Sequence, residues 1–380
     1  MNIVSVYVHI PYCLTKCTYC DFYSIALNNS NCNCKNHFIS DKYIDNLIEE
    51  LKERKKQFKI DKFKTVYVGG GTPSLLSKNQ IQKLFQYINQ FKIENAEVSF
   101  ECNPDDINFD FLQTLYDNGV NRISLGIQSL NDEVLAFVKR RADKKTNLHA
   151  IECIKKFRKS INKKEDFLLS IDLISGLPKL SCENFLQDLE TIVKSGAEHI
   201  SLYSLIIDEK TELSKNLTFY DENENENQWL LGSKFLIDAG FSHYEVSNFA
   251  KKGFESKHNL TYWKKNDYIG IGSGATGSVK NYRYTNSKLL NDTFSYNLNE
   301  QVEIIENKDL EFEFLMMGFR LLEGINKNEY KKRFGKSLHS RLGNIWLKWK
   351  EKNLAFENGD YFTLGEQGIL YLNIFLSEIM

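Results

Sequence analysis

The segment Val4-Ser-Val-Tyr-Val-His-Ile-Pro11 runs almost directly into Cys13-Leu-Thr-Lys-Cys17-Thr-Tyr-Cys20. The first part is a short apolar run of the kind that forms a strand. The second part places three thiols close together, one fewer than a closed zinc site or a fully ligated iron–sulfur cluster needs. An incomplete set of protein ligands keeps a coordination position open, which favours a reactive centre over a structural one. The stretch therefore predicts a strand that leads into a reactive metal site.

Two other interpretations fit this spacing taken alone. The cysteines could belong to a zinc knuckle that lacks its last ligand, or they could be unrelated thiols, since short motifs give false matches. Cys32, Cys34, His9 and His37 lie near enough in the sequence to complete a zinc site. Other segments of the sequence are needed to choose between a reactive metal site, a zinc knuckle and unrelated thiols.

Composition excludes several classes of partner. The 380 residues are 42% apolar, and 49 basic against 50 acidic side chains give a net charge of −1, so no global field favours nucleic acid or an anionic membrane. The N-terminus lacks the pattern of a secretory signal, and no apolar run reaches the roughly 18 residues of a membrane span. Eight cysteines in such a chain indicate a reducing, cytoplasmic location, where clustered thiols bind metal.

Six β-rich segments alternate with amphipathic helical segments. The predicted strands are residues 4–10, 65–68, 97–101, 122–127, 168–174 and 199–207, and the predicted helices are 41–57, 78–91, 109–118, 145–159 and 182–194. Nearly continuous apolar strands that alternate with helices indicate a parallel sheet covered by helices. The unusual residues follow the carboxyl ends of strands, which converge on one mouth in a βα barrel. We therefore predict an α/β fold, a partial (β/α)6 TIM-like barrel with its site at the top.

Three units are predicted along the chain. Residues 1–240 form the partial barrel, with a polar loop at 25–38 and an acidic linker at 221–228 before a helix at 229–239. Residues 241–305 form a connecting α/β extension that carries His258-Asn-Leu-Thr-Tyr-Trp263. Residues 306–380 form a smaller α+β C-terminal domain, with helices at 312–322, 326–333 and 341–352 and then a hairpin that turns at Asn358-Gly-Asp360.

Glycines and polar side chains stand where the predicted strands end. Gly69-Gly-Gly-Thr-Pro73 follows the second strand and would let a ligand approach bare backbone. Glu101, Gln128 and Asp172 end the next three strands, where an unpaired buried carboxylate would be costly. Each is a candidate ligand contact, and the alternatives are a tight turn for the glycines and buried salt bridges for the acids.

The cysteine spacing, C-x3-C-x2-C with Tyr19 before the last cysteine, resembles the signature of the radical S-adenosylmethionine (SAM) enzymes. The resemblance implies that Cys13, Cys17 and Cys20 hold a 4Fe-4S cluster whose fourth iron binds SAM, and that a reductant supplies the cluster with electrons. The glycine-rich segment one βα unit later resembles the part of these enzymes that contacts the methionine group of SAM. Together the two segments make the zinc interpretation much weaker.

Further segments resemble a narrower group, the oxygen-independent coproporphyrinogen III oxidase family with its heme-chaperone relatives. They are Tyr7-Val-His-Ile-Pro-Tyr-Cys13, Phe100-Glu101, Gly126-Ile-Gln-Ser129, Asp172-Leu-Ile-Ser-Gly-Leu-Pro178 and Tyr244-Glu-Val-Ser-Asn-Phe249. By position, the resemblance implies contacts with the cluster-bound SAM from Tyr7, Tyr19, Gly70, Gly71, Thr72 and Glu101. It also implies that Gln128, Arg140 and Asp172 match positions that face a second SAM in the decarboxylase branch.

Three features resemble the heme-chaperone branch more than the decarboxylases. Phe22 stands where the decarboxylases carry a further cysteine, and only twelve residues precede Cys13 where they have a long arm. His258-Asn-Leu-Thr-Tyr-Trp263 resembles the H-N-x-x-Y-W motif of the chaperones, which implies heme ligation by His258. Tyr262 and Trp263 are predicted to flank the porphyrin plane. Without the resemblance, such a histidine is more often structural. Thr276 stands where many relatives are expected to have His, which weakens the prediction of a heme contact from that loop.

The sequence therefore predicts a cytoplasmic radical SAM protein of the heme-chaperone type, with a 4Fe-4S cluster, SAM and heme as its cofactors. Its expected partners are heme, a reductant and heme-requiring client apoproteins such as respiratory enzymes, with no nucleic acid. Whether it turns over a substrate is left open. The first alternative is a coproporphyrinogen III dehydrogenase, and the second is another radical SAM activity, such as methyl transfer to a porphyrin-like substrate.

Overall fold

Six long parallel strands form the centre of the structure, a computed structural model that describes residues 1–27, 38–161, 167–217, 220–288 and 300–380. The strands of this region are β1 Ile3–Ile10, β2 Tyr12–Cys13, β3 Ile25–Ala26, β4 Lys62–Gly70, β5 Lys92–Cys102, β6 Arg122–Gln128, β7 Leu168–Ser175 and β8 His199–Ser204. Its helices are α1 Asp41–Gln57, α2 Lys78–Ile88, α3 Phe109–Asp117, α4 Asp132–Phe137, α5 Lys144–Ser160, α6 Cys182–Val193, α7 Glu212–Asn216 and α8 Glu222–Asp238.

The long strands pair side by side in the order β1, β4, β5, β6, β7 and β8, all in parallel. Parallel neighbours need a crossover connection, and helices lie in the segments between them. Within the described residues β1 and β8 do not pair with each other, so the barrel stays open between them. The prediction of an α/β fold with a partial six-stranded barrel is confirmed.

The two faces of the barrel strands differ in chemistry because successive side chains point to opposite faces. On the outer face, Val4, Val6 and Val8 of β1 are almost fully buried in the main hydrophobic core. On the inner face, Ser5 lies opposite Thr65, and Thr65 lies opposite Glu97. The interior of this barrel is therefore polar where many βα barrels are filled by bulky branched side chains.

Residues after α8 widen the sheet at both edges. At one edge, β9 Ser242–Glu245 and β10 Asn248–Ala250 continue from β8; at the other, β11 Tyr268–Ile271 pairs with β1 and leads to β12 Thr276–Val279, β13 Tyr282–Thr285 and β14 Gln301–Ile304. Helix α9, Lys257–Trp263, contacts β4. The extension predicted at 241–305 is thus built into the sheet, while the boundaries of the three predicted units stay predictions.

Helix α9 is held against the inner face by a buried ion pair. Glu97 accepts hydrogen bonds from the backbone N–H groups of Lys257 at 3.1 Å and His258 at 2.9 Å. The same carboxylate pairs with Arg122 at 3.1 Å, and both side chains are at most 5% exposed. A carboxylate at a helix N-terminus satisfies free N–H groups and complements the helix dipole. The pair therefore fixes α9 at the amino-terminal half of the barrel strands.

The C-terminal residues form a second hydrophobic core. Helices α10 Asn307–Gly318, α11 Lys327–Phe334, α12 Leu338–Glu351, α13 Glu366–Leu370 and α14 Leu372–Ile379 surround a small sheet of β15 Ile325–Asn326, β16 Ala355–Asn358 and β17 Tyr361–Leu364. Phe319, Trp346 and Phe375 meet at its centre. The predicted hairpin is confirmed: Asn358 pairs with Tyr361, and Gly359 supplies the positive φ of the turn.

The prediction of an acidic linker at residues 221–228 is wrong, because this stretch is the first half of α8. Asp221 caps the helix by accepting from the N–H groups of Asn223 and Glu224. Acidic residues in a first helical turn complement the positive end of the helix dipole. Asn225 and Gln228 are buried and bond to the turn after β7, so polar residues here face the core.

The polar loop predicted at residues 25–38 lies largely outside the described residues, as do Cys32 and Cys34. Its first residues form β3, which pairs with β2 at the start of the cysteine segment. In the described part of the chain, no helix combines the length and the apolar character needed to cross a bilayer.

The ion pair under α9 makes a testable contribution to stability. Replacing Glu97 by Ala leaves the Arg122 guanidinium buried without its partner, and we expect a loss of about 3–5 kcal/mol in the free energy of unfolding, measured in urea. The matched control is Glu49→Ala, which breaks an exposed ion pair with Lys52 and should leave the free energy of unfolding nearly unchanged. Equal losses in the two variants would contradict this account.

Candidate functional site

A cavity of about 410 Å³ opens at the carboxyl ends of the barrel strands. Its wall includes most of the residues that the sequence singled out: Cys13, Cys17, Tyr19, Cys20, Gly70, Gly71, Thr72, Glu101, Gln128, Arg140 and Asp172. They come from the loop after β1, the ends of β4, β5, β6 and β7, and the loop after α4. The parallel sheet thus brings side chains that are distant in the sequence to one mouth. Tyr7 and His258 do not line this cavity.

The cysteine segment and the glycine segment are in direct contact. Cys13 ends β2, and its Sγ accepts a hydrogen bond from Thr72 Oγ1 at 3.4 Å. A Cβ on Gly71 would lie 2.7 Å from the carbonyl oxygen of Tyr12 and 3.0 Å from Cys13 Sγ. The backbone oxygen cannot yield as a flexible side chain could, so this packing needs glycine at position 71 and fixes one segment against the other.

The cysteines form a donor set that fits a cluster. Burial raises the pKa of the Cys13 and Cys20 thiols, that of Cys20 to about 11, so binding of a metal centre has to displace their protons. In the described part of the chain, no three His, Cys, Asp or Glu side chains are arranged to hold a metal ion. A 4Fe-4S cluster makes a different demand, because each thiolate binds a different iron. Three thiols on one wall meet that demand with one iron left over.

Arg140 connects the cysteine segment to the ends of two strands. One terminal nitrogen lies 3.7 Å from Cys17 Sγ, and the other donates to Asn103 Oδ1 at 2.7 Å and to the carbonyl oxygen of Gly126. Its buried Nε has no hydrogen-bond partner among the described residues. The guanidinium therefore contacts Cys17 and keeps a spare donor.

Glu101 is held at the end of β5 by two donors. Its Oε1 accepts from the Tyr67 hydroxyl at 2.8 Å and its Oε2 from the Gly70 N–H at 2.9 Å. Burial raises the pKa of Glu101 to about 7; the two hydrogen bonds lower it, and the nearby Asp172 raises it. The titratable side chains that interact with this carboxyl are Tyr7, Tyr67, Cys102, Asp172, Tyr203 and Tyr262. Its charge therefore changes near neutral pH.

Asp172 and Gln128 complete the polar side of the cavity. Ser124 donates to Asp172 Oδ2 at 3.0 Å, whereas Oδ1 is buried and has no hydrogen-bond partner in the described residues. Burial raises the pKa of this carboxyl. Gln128 has a φ of 68°, in the left-handed region that side-chain-bearing residues seldom adopt. An unsatisfied buried acceptor and local backbone strain are both typical of ligand-binding walls.

Several wall residues were not singled out by the sequence analysis: Tyr67, Asn103, Ser124, Arg141, Tyr203 and Ile206. Tyr67 could have been found, because it lies two residues before Gly69 and so shares the inner face of β4. Phe22 and Ile206, which also line the cavity, are 66% and 82% exposed. They give the mouth of the cavity an apolar rim.

Tyr7 and His258 lie behind the wall. The Tyr7 ring stacks on Tyr67, with centroids 6.2 Å apart, and its hydroxyl bonds to His9 Nδ1. His258 is 1% exposed, and its two ring nitrogens lie 2.7 Å from Thr65 Oγ1 and 2.8 Å from the Tyr262 hydroxyl. Neither nitrogen is therefore open to a metal in this arrangement. Heme ligation by His258 stays a prediction, and it requires at least one of these two hydrogen bonds to break.

Comparisons with known proteins agree with this architecture. Residues 7–192 match the Radical SAM superfamily, and residues 305–371 match the HemN C-terminal domain. Among solved structures, the coproporphyrinogen III oxidase HemN from Escherichia coli, a radical SAM enzyme, superposes with a TM-score of 0.80 at 19% identity, over 100% of this chain and 90% of that one. This likeness supports the fold. Residues 7–192 are thus similar to the radical SAM superfamily, and the whole chain shares the fold of HemN.

Proteins similar in sequence indicate which group of radical SAM proteins this chain belongs to. The heme chaperone HemW of Buchnera aphidicola subsp. Schizaphis graminum is 33% identical over 98% of this chain and 97% of its own length. The HemW proteins of Escherichia coli K12 and Bacillus subtilis 168 are 32% and 30% identical, each over 99% of this chain and over 98% and 100% of their own lengths. The chain belongs to the HemW family of radical SAM proteins.

The raised pKa of Glu101 predicts a pH-dependent stability. Between pH 4.5 and about 7 the Glu101 carboxyl is ionised in the unfolded chain but still protonated in the folded one. The free energy of unfolding therefore falls as the pH rises through this range and stays at its lower value above about pH 7. We expect Glu101→Gln to raise the melting temperature of the ligand-free protein by about 2–4 °C at pH 8 and by clearly less at pH 5. Glu49→Gln on the surface serves as the control. The same gain at both pH values would argue against a buried carboxyl.

Proposed function

We propose that this protein is a radical SAM heme chaperone. It binds a 4Fe-4S cluster through Cys13, Cys17 and Cys20, binds SAM in the adjoining cavity, carries heme and delivers it to heme-requiring apoproteins such as respiratory enzymes. The observation that carries the proposal is the convergence of the three thiols, the glycine segment and Glu101 on one cavity. Its relatives are heme chaperones by name, and this supports the heme part.

The cavity offers contacts for each part of SAM. Gly70 and Gly71 present backbone without bulk, and Thr72 is fixed beside Cys13. Glu101 accepts hydrogen bonds from a ribose hydroxyl or from the ammonium group. Tyr19 is half-buried and interacts with Cys17. A cluster bound here supplies electrons for the one-electron reduction of SAM.

We assign the other polar wall residues to the ligand that lies beside SAM. Gln128, Arg140 and Asp172 line the same cavity, and the last two keep an unused donor and an unused acceptor. These groups suit a polar or carboxylate-bearing ligand, which includes a second SAM or the propionates of a porphyrin. Tyr7 acts from behind the wall through its contact with Tyr67.

The heme ligand is the part of the proposal that needs a rearrangement. For His258 to bind heme iron, one ring nitrogen has to leave its hydroxyl partner, Thr65 or Tyr262, and the buried ring has to become accessible to heme. Burial lowers the pKa of His258 to about 3, so the imidazole is neutral and chemically suited to iron. We therefore include His258 in the heme site only for a conformation in which its ring is accessible to heme.

The second candidate is a coproporphyrinogen III dehydrogenase. The observation in its favour is the close match in fold to HemN over the whole chain. Phe22 argues against it, since this position lies at the cavity mouth and carries a phenyl ring where the decarboxylase has a cysteine.

The chaperone proposal also includes a reductant for the cluster and a cytoplasmic location, and it includes no nucleic acid.

The cluster ligands can be tested by composition. After anaerobic reconstitution we expect about four iron and four sulfide per chain in the native sequence and a large loss of both in Cys17→Ser. Cys153→Ser is the control, because Cys153 lies on α5 outside the cavity wall. Equal iron and sulfide in Cys17→Ser and in the native sequence would contradict the ligand set.

Heme titration separates the two candidate functions. We expect the cluster-loaded protein to bind heme saturably, seen in the Soret band under anaerobic conditions, and to form no decarboxylated product from coproporphyrinogen in the presence of SAM and a reductant. On the proposed heme site, His258→Ala binds heme more weakly. Decarboxylated product without saturable heme binding would favour the dehydrogenase and overturn the chaperone.

A further inference from the structure

We propose that His258 and Tyr67 are positioning residues of the SAM site, with His258 in α9 orienting Tyr67 and Tyr67 in turn orienting Glu101. This inference rests on the proposed SAM site and deepens it. It gives the HNLTYW segment a role in the conformation described here, in which its histidine is closed to iron. It also connects the inner face at α9 to the carboxyl ends of the strands, where ligands bind.

The first step is the fixation of the His258 ring. One ring nitrogen bonds to the Thr65 hydroxyl on β4 and the other to the Tyr262 hydroxyl one helical turn along α9. A neutral imidazole has one donor and one acceptor, and both hydroxyls can serve either role. The backbone is fixed as well, because Glu97 accepts from the N–H of His258 at 2.9 Å. The ring is therefore held in one place and one plane.

A second contact holds α9 near the same height of the barrel. The Thr261 hydroxyl lies 2.9 Å from the Ser5 hydroxyl of β1, and both side chains are buried. Ser5 and Thr65 are cross-strand partners on β1 and β4. Helix α9 therefore bridges two adjacent strands, and it cannot rotate about its axis without breaking one of these contacts.

The second step passes from His258 to Tyr67. Their rings stack with centroids 5.1 Å apart and planes at 29°, and Tyr67 also stacks on Tyr7, with centroids 6.2 Å apart. A ring that packs against two others has little freedom about its side-chain torsions. The direction of the Tyr67 hydroxyl is therefore set by its neighbours.

The third step passes from Tyr67 to the ligand site. The Tyr67 hydroxyl donates to Glu101 Oε1 at 2.8 Å, while Oε2 is held by the Gly70 N–H. With both oxygens engaged, the carboxyl plane is fixed, and the remaining lone pairs point in set directions for a ligand. Pre-fixed contacts lower the ordering cost of binding. Loss of Tyr67 or His258 should therefore weaken SAM binding although neither has to touch SAM.

The experiment measures SAM dissociation constants on anaerobically reconstituted, full-length protein for Tyr67→Phe, His258→Phe and the double variant. We expect Tyr67→Phe to weaken SAM binding about tenfold, the factor for the loss of one hydrogen bond to a charged group worth about 1.4 kcal/mol. His258→Phe removes the two bonds that fix the His258 ring, and it should weaken SAM binding by at most the same factor. Because His258 acts through the Tyr67 hydroxyl, His258→Phe should add less than about twofold in the Tyr67→Phe background.

The control is Tyr330→Phe. This substitution also removes a hydroxyl bond from a fully buried tyrosine to a carboxylate, that of Glu311, but in the C-terminal core. It should lower the melting temperature and leave SAM binding unchanged. Should His258→Phe fail to fold, Tyr262→Phe replaces it, because that variant frees one ring nitrogen of His258 and keeps an aromatic ring in place.

A pH profile separates orientation from a general loss of structure. The Tyr67 hydroxyl lowers the pKa of Glu101, so Tyr67→Phe should move the pH at half-maximal SAM affinity upward, while Tyr330→Phe should leave it in place. Failure of the native protein to bind SAM would overturn the proposed function, and this inference with it. Native binding with an unchanged affinity in Tyr67→Phe, or additive losses in the double variant, would overturn the inference alone. Loss of heme binding with full SAM affinity in His258→Phe would also overturn it.

Discussion

The site depends on the carboxyl group of Glu101, which is half-buried at the end of β5 between a backbone N–H and a tyrosine hydroxyl. Strand register makes this arrangement possible, because β4 and β5 pair so that Tyr67 lies opposite Ser99, and Gly70, the last residue of β4, donates to Glu101. Gly69 has to lack a side chain, since a Cβ there would lie 2.8 Å from the carboxyl group. A single parallel pairing thus fixes both the glycine segment and the acid.

From Glu101 the fixed contacts continue in two directions, toward the cavity mouth and toward α9. Toward the mouth, Gly71 packs on the turn at Tyr12, and Thr72 bonds to Cys13, so the glycine segment sets the position of the first cysteine. Toward the inner face at α9, Tyr67 stacks on His258, which Glu97 and Thr65 hold in place. The polar side chains inside this barrel therefore contact one another in series beneath the site. They include the buried ion pair between Glu97 and Arg122.

Much of this could be predicted from the sequence, because the relevant signals are local. Apolar strands that alternate with helices gave the six barrel strands, and the short spacing of three cysteines gave the candidate cluster ligands. The acidic start of α8 was mistaken for a linker, since its buried Asn225 and Gln228 have partners only in the folded sheet. The contacts of His258 could not be predicted for the same reason, because Thr65 and Tyr67 lie on a strand far away in the sequence. Tyr7 does not line the cavity, whereas Tyr67, on which its ring stacks, does.

The central claim is that the three cysteines hold a cluster with one open iron beside the cavity that Glu101 lines. The most direct test is the electron paramagnetic resonance spectrum of the reduced, reconstituted protein, recorded with and without SAM. The account predicts a 4Fe-4S signal whose g values change when SAM is added, because SAM would occupy the open position on the cluster. A 4Fe-4S signal that SAM leaves unchanged would contradict it.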